Sequence, residues 1–188
     1  MTLIVAATSN WGIGKNGKLL YYIQEDLHRF KQITTGNSVV MGYNTFLSLP
    51  EQKPLPDRSN IVLTSKSAYE ITPQEATGTF SISSAINFHM PGLFVCNSVD
   101  TLLVALGKLT SEERANVFVI GGAMVYKLLV DYCEKALITR IHATPSADTY
   151  MIDMDIRPGW ELTKESETQY FGDIVYNYCE YENKKQKW

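Results

Sequence analysis

Val117-Phe118-Val119-Ile120-Gly121-Gly122-Ala123-Met124-Val125-Tyr126 is the stretch on which the reading of the fold turns. Its first four residues are apolar and mostly β-branched, the composition of a buried strand. Two glycines then break the run, and the residues after them open a helix that extends to about Tyr132. Glycine permits close backbone approach, and the free N–H groups of a new helix face an anion well. The same residues would also serve as a tight packing turn, and the motif alone does not choose between the two.

Working outward, similar apolar runs occur at 3–7, 38–41, 61–63, 80–82, 93–95, 136–141 and 174–181. Each reads as a strand. Helical stretches lie between them. One spans about 25–34 and stops at Gly36; a short one follows Asn44-Thr45; another covers 99–106 with Ser98 as its cap. Strands alternating with helices predict an α/β fold with a central, mostly parallel eight-stranded sheet and about four flanking helices. The last run has no helix before it and carries Tyr176, Tyr178 and Tyr181. It is expected to close one edge of the sheet antiparallel, as a hairpin with 136–141. The stretches 52–58 and 65–78 are rich in turn residues and read as surface loops.

The 188 residues fit one domain, 1–188, with 45% hydrophobic residues and a net charge of −3. No basic face points to nucleic acid, and the tail Lys184, Lys185 and Lys187 reads as a frayed, solvated end. The apolar opening run is too short for a signal peptide or membrane span. Cys96, Cys133 and Cys179 are scattered and suit a reducing, cytoplasmic compartment. His28, His89 and His142 lack metal-ligand spacing, so no metal is expected.

Three places could carry chemistry. In the 25–34 helix, Asp26 shares a stripe with Phe30 and Ile33. It could be a first-turn carboxylate that complements the helix dipole. It could also line an apolar pocket, where a buried carboxylate needs a cationic or multi-donor partner. Arg58 follows Pro54 and Pro56, which stiffen its approach. It could be an exposed surface residue or a fixed guanidinium for a carboxylate. Gly12-Ile13-Gly14-Lys15-Asn16-Gly17 fits a dinucleotide fingerprint in letters, but no helix opens at its third glycine, so it reads as a flexible glycine loop.

Taken together, Val5-Ala6-Ala7, Trp11-Gly12-Ile13-Gly14, Asp26-Leu27-x-x-Phe30-Lys31, Val40-Met41-Gly42, Pro54-Leu55-Pro56-x-Arg58-x-Asn60-Ile61-Val62-Leu63 and Ile120-Gly121-Gly122 resemble the dihydrofolate reductase family in order and spacing. The resemblance runs from about Leu3 to Tyr181. It favours function at Asp26, Arg58 and the double glycine.

The resemblance implies reduction of dihydrofolate by NADPH; a monomer is expected separately, because no strongly apolar helix face stands out in the sequence. Asp26 would hold the pterin through its N–H and exocyclic amine, with Thr139 in the same network and Tyr21 as a further donor. Val5, Ala6, Leu27, Phe30, Leu49, Leu55 and Ile120 would wall the pocket. Arg58 would bind the glutamate α-carboxylate, with Lys31 nearby. The 12–18 loop would close over the nicotinamide, with Ala7, Ile13, Gly14 and Lys18 on the cofactor side. Gly121, Gly122, Ala123, Met124, Val125 and Tyr126 would contact the cofactor too, the Gly121–Gly122 peptide being cis. Thr45 would help cradle the pyrophosphate, Thr64, Ser65 and Lys66 would lie near the adenosine phosphate, and Gly42, Tyr43, Asn44 and Leu63 would also contact the cofactor.

Three positions depart from the family pattern. Leu20-Tyr21 stands where Pro-Trp is usual, Tyr43 where a basic residue is common, and Met124 where a polar one is common. Two other readings remain: a reductase of another pterin or of a ribosylamino-pyrimidine, and an inactive NADP- or folate-binding homologue.

Overall fold

The computed structural model describes residues 1–66, 79–81 and 91–187. The strands are β1 (Thr2–Thr8), β2 (Gly12–Lys15), β3 (Lys18–Leu19), β4 (Ser38–Gly42), β5 (Ser59–Leu63), β6 (Thr79–Ser81), β7 (Gly92–Cys96), β8 (Val117–Gly121), β9 (Lys135–Ile141), β10 (Thr149–Tyr150), β11 (Trp160–Glu165), β12 (Gln169–Phe171) and β13 (Ile174–Asn183). The helices are α1 (Gln24–Thr34), α2 (Tyr43–Ser48), α3 (Val99–Gly107), α4 (Ser111–Ala115) and α5 (Ala123–Leu129). Most of the loop expected at 65–78, and Ile82 of the expected 80–82 strand, lie outside the described residues.

The eight expected strands form one continuous run, β13-β9-β1-β8-β4-β5-β7-β6. Pairing is parallel from β9 to β6 and antiparallel between β13 and β9. Two further strands, β11 and β12, pair antiparallel along the outer side of β13. β13 is therefore not the bare edge, and it does not form a simple hairpin with β9. A long strand left open would present unpaired N–H and C=O groups, which β11 and β12 cover. β12 and β13 meet at Gly172-Asp173, where Gly172 has φ 56, the glycine-first pattern of a two-residue hairpin.

Strand alternation sorts the core into two faces. Leu3, Val40, Ile61, Phe94, Val117 and Val119 pack on one side with Leu102 and Leu106 of α3 and Val125 and Leu129 of α5. Ile4, Val39, Met41, Val62, Leu93, Val95 and Phe118 pack on the other with Phe46 of α2 and Phe30 and Ile33 of α1. Burial on both faces explains why the parallel strands read as unbroken apolar runs.

α1 ends as expected, with Gly36 at φ 78. Ser98 Oγ accepts from the Thr101 N–H to cap α3. α4 was not anticipated, although Thr110 and Glu113 form a reciprocal capping box at its start. The tail is docked rather than frayed. The Lys187 ammonium pairs with Asp131 at 2.8 Å, and the Lys184 N–H donates to the Gly159 carbonyl at 2.7 Å.

Candidate active site

α1 presents its first turn to the sheet. There the Asp26 carboxylate, half-buried, accepts a hydrogen bond of 2.5 Å from Thr139 Oγ1. Thr139 is buried on β9, opposite Ala6 on β1. Burial pushes the Asp26 carboxyl above the ordinary aspartate range, while the Thr139 bond and the charge of Arg29 pull the other way. The carboxylate is thus both a first-turn acid and an inward-facing one.

Phe30, Leu49, Leu55 and Ile120 gather half-buried on the α1 side of the sheet. Val5 does not join them: it packs in the opposite cluster with Ile13 and Leu63. Side chains alternate along a strand, so on the α1 side of β1 the neighbour of Val5 is Ile4, which is buried in the core. Ala6 packs with Ile23, Ile141 and Tyr176 in a third cluster that includes Tyr21. The Tyr21 hydroxyl has no hydrogen-bond partner among the described residues, so its donor is available. Leu27 and Lys31 are exposed on α1.

Arg58 is not a surface residue. Its Nε donates to the Pro56 carbonyl at 2.8 Å and its Nη1 to Thr34 Oγ1 at 3.0 Å. Burial lowers its pKa, the charge of the neighbouring Asp57 partly offsets this, and no carboxylate lies within ion-pair distance among the described residues. Thr34 is the last residue of α1, and its hydroxyl donates a hydrogen bond to the Phe30 carbonyl at 2.7 Å. Such a guanidinium is fixed in place but not neutralised, which suits a carboxylate ligand.

The cofactor candidates collect at the C-terminal ends of the parallel strands, the usual ligand crevice of an α/β sheet. β1 and β8 pair at Thr2 and Leu3 and then part. Across the opening, Tyr126 Oη donates to the Ile4 carbonyl at 2.9 Å, satisfying a group that the ladder leaves free. Tyr126 is therefore buried and committed to β1, with Val125 buried beside it. The Gly121–Gly122 peptide at the end of β8 is cis. A Cβ added at Gly122 would meet Thr45 Oγ1 at 3.3 Å, so α2 and the double glycine nearly touch.

α2 and α5 both start from a glycine, Gly42 and Gly122, with no side-chain cap. Their first N–H groups are left for another acceptor, which fits the phosphates of a dinucleotide. Ala7 is fully buried in the core at the end of β1, and Ile13 and Leu63, half-buried, pack against that core. Ala123 and Gly14 are half-buried, while Asn44, Met124 and Lys18 are exposed. Beyond Thr64 and Ser65, the Lys66 ammonium lies 4.4 Å from the Tyr43 ring centroid. A cation thus stands at the position where Tyr43 replaces a basic residue. Asn97 Nδ2 braces this turn by donating to the Thr64 and Lys66 carbonyls.

The glycine loop at 12–18 is a β-hairpin. β2 and β3 pair antiparallel around Asn16-Gly17, both with positive φ, and β10 pairs with β2. Asn-Gly is the strongest two-residue hairpin signal, and it was present in the sequence. The Asn16 N–H donates to Asp148 Oδ2 at 2.7 Å, holding the hairpin against the β10 segment. Asp148, Ile4, Thr34 and Arg29 were not singled out from the sequence. Their partners lie far along the chain or on a face that local pattern does not reveal. Among the described residues, no group of His, Cys, Asp or Glu gathers as metal ligands, and no helix is long and apolar enough to cross a membrane.

Comparison with known proteins agrees with this geometry. The family model for dihydrofolate reductase matches residues 1–183. The dihydrofolate reductase of Bacillus subtilis is 31% identical over 190 residues, covering 98% of this chain and 95% of the relative. The bifunctional dihydrofolate reductase-thymidylate synthase of Glycine max is 36% identical over 164 residues, 81% of this chain. The chain spans 28% of that longer relative. Among solved structures, the dihydrofolate reductase from Enterococcus faecalis, complexed with NADP(H) and RAB-propyl, superimposes with a TM-score of 0.73. It is 28% identical and the match covers 97% of this chain and 95% of that one. With a carboxylate on α1, a fixed guanidinium at its far end and a double-glycine crevice between strands, the chain belongs to the dihydrofolate reductase family.

Proposed function

We propose that this chain reduces 7,8-dihydrofolate to 5,6,7,8-tetrahydrofolate with NADPH. The observation that carries the reading is the Asp26 carboxylate, half-buried and held by Thr139 beside the parted strands β1 and β8. NADPH, when bound, supplies the hydride received at C6 of the pterin.

The protein's own groups do the rest. Thr139 fixes one carboxylate oxygen of Asp26, so the carboxylate meets the N3–H and 2-amino edge of the pterin in a set orientation. Phe30, Leu49, Leu55 and Ile120 exclude water from the ring. Asp26 grips the N3 side and polarises the ring, and a water molecule carries the proton to N5. Arg58 holds the glutamate α-carboxylate, which favours a folate over a ribosylamino-pyrimidine that lacks this tail. The 12–18 hairpin, pinned through Asp148, covers the nicotinamide face. Lys66 and Tyr43 read the adenosine phosphate.

The chain acts as a single-domain, cytoplasmic monomer with no nucleic-acid partner. Its three buried free thiols and net charge of −3 support that setting. The test is the fall in absorbance at the NADPH band when dihydrofolate is added. Dihydrofolate-dependent oxidation of NADPH is expected; its absence from folded protein would leave an inactive folate-binding homologue. In the same assay, Tyr43→Arg should raise the preference for NADPH over NADH. An unchanged ratio would mean that Lys66 already reads the phosphate alone.

A further inference from the structure

Two contacts tie α1 to the C-terminal part of the sheet, and they run in parallel. Thr139 and Tyr178 are direct partners across β9 and β13, so their side chains rise from one face. Thr139 donates to Asp26. One helical turn further on, the Arg29 guanidinium lies over the Tyr178 ring, 4.4 Å from its centroid. The ring is itself set edge-on against Tyr176, with centroids 5.5 Å apart. Residues three apart share a helix face, so the second contact holds a positive charge on the face that carries Asp26, beyond ion-pair distance but close enough for its field to reach the carboxylate. A free arginine side chain would spend its time in water, where its charge is screened; stacking on a fixed ring holds it in place.

The other groups facing Asp26 do not supply a cation. Thr139 from β9 is neutral. From β13 come the phenols Tyr178 and Tyr176, and burial holds Tyr178 well above the ordinary tyrosine range. Tyr21 lies on the segment before α1. On α1 itself, Glu25, His28 and Lys31 are exposed. Among the described residues, neither Asp26 nor Arg29 has an ion-pair partner within bridging distance.

We propose that Arg29, clamped on Tyr178, is a positioning residue for the substrate-gripping carboxylate, its charge keeping Asp26 in the ionised form that holds the pterin. The proposal rests on Asp26 as the pterin anchor. It adds a residue that touches neither substrate nor cofactor yet sets the pH range in which the anchor works.

The experiment is a carbon-13 NMR titration of the Asp26 carboxyl in the ligand-free protein, alongside the pH profile of kcat/KM for dihydrofolate. Arg29→Gln should move the Asp26 midpoint up by about one unit. Arg29→Lys should leave it within a few tenths of a unit. Tyr178→Leu, which frees the guanidinium, should give a smaller upward shift. The acid limb of kcat/KM should follow the midpoint in each variant. A midpoint in Arg29→Gln that coincides with wild type overturns the proposal. A midpoint that moves while the acid limb stays put supports the charge effect but overturns Asp26 as the substrate anchor. The same effect is readable without any variant, since raising salt from about 0.05 to about 1 M should shift the wild-type midpoint upward. No shift with salt counts against Arg29.

Discussion

Asp26 and Arg58 carry opposite charges at opposite ends of α1, and a threonine holds each of them. Thr139 donates to Asp26 beside the first turn; Thr34, in the last turn, accepts from Arg58. The eight helical steps from Asp26 to Thr34 span about 12 Å of helix, a length suited to a flat ring and the tail attached to it. Neither charge has a partner within ion-pair distance in the described protein; Arg29 near Asp26 and Asp57 near Arg58 offset their desolvation only in part. They differ in what they can do about it. Asp26 can shed its charge by taking a proton, and burial favours that. Arg58, only 4% exposed, stays cationic across the working range although burial lowers its pKa. The ring-binding end of the site therefore titrates, while the tail-binding end does not.

The most severe way to break this pairing is Asp26→Asn. Turnover at pH 7 should drop by about a hundredfold or more, and near-wild-type turnover would remove Asp26 from the mechanism. Thermal stability should move the other way. The folded-state pKa of Asp26 is raised, so its contribution to stability is full below the unfolded value and is lost as pH rises through the folded one. At pH 7 the wild type carries that penalty and the asparagine does not. The asparagine variant should therefore melt at a higher temperature than wild type at pH 7. A melting curve at pH 7 and again near pH 3, where the difference should vanish, checks the sign.

Arg58→Leu comes next. KM for dihydrofolate should rise about ten- to a hundredfold while kcat changes little, the pattern of lost uniform binding. An equal rise for a dihydropterin without the glutamate tail would show that Arg58 does something else. Thr139→Val sharpens the contrast more gently. Removing the donor should lift the Asp26 titration and cut kcat/KM by about tenfold at most near pH 7. The loss should grow as pH falls, and a loss independent of pH would point to packing instead. The smallest effect belongs to Thr34→Val, which takes one acceptor from Arg58. A rise in KM of about two- to fivefold is expected for the full substrate and none for the tail-less one.

Much of this was legible because the signals are local. The eight strands are short apolar runs, Gly36 ends α1, Ser98 caps α3, and the double glycine follows its strand directly. The Asn16-Gly17 hairpin and the Thr110–Glu113 capping box were equally local and were passed over. Ile4 and Val5 show a different limit. Both faces of a doubly covered sheet are apolar, so alternation tells that neighbours point apart but not which face meets α1. The hydrogen bond between Asn16 and Asp148 and the stack of Arg29 on Tyr178 join residues that only the finished sheet register brings together. Arg58 is an intermediate case. Its prolines announced a fixed arginine, but its burial depends on Thr34 arriving from the end of α1.

The most direct measurement is the equilibrium titration of wild type and Asp26→Asn with dihydrofolate and with its tail-less dihydropterin at pH 7. If the carboxylate grips the ring edge, the variant should lose the same factor, about tenfold or more, toward both ligands. Wild-type affinity for both would contradict Asp26 as the group that holds the substrate.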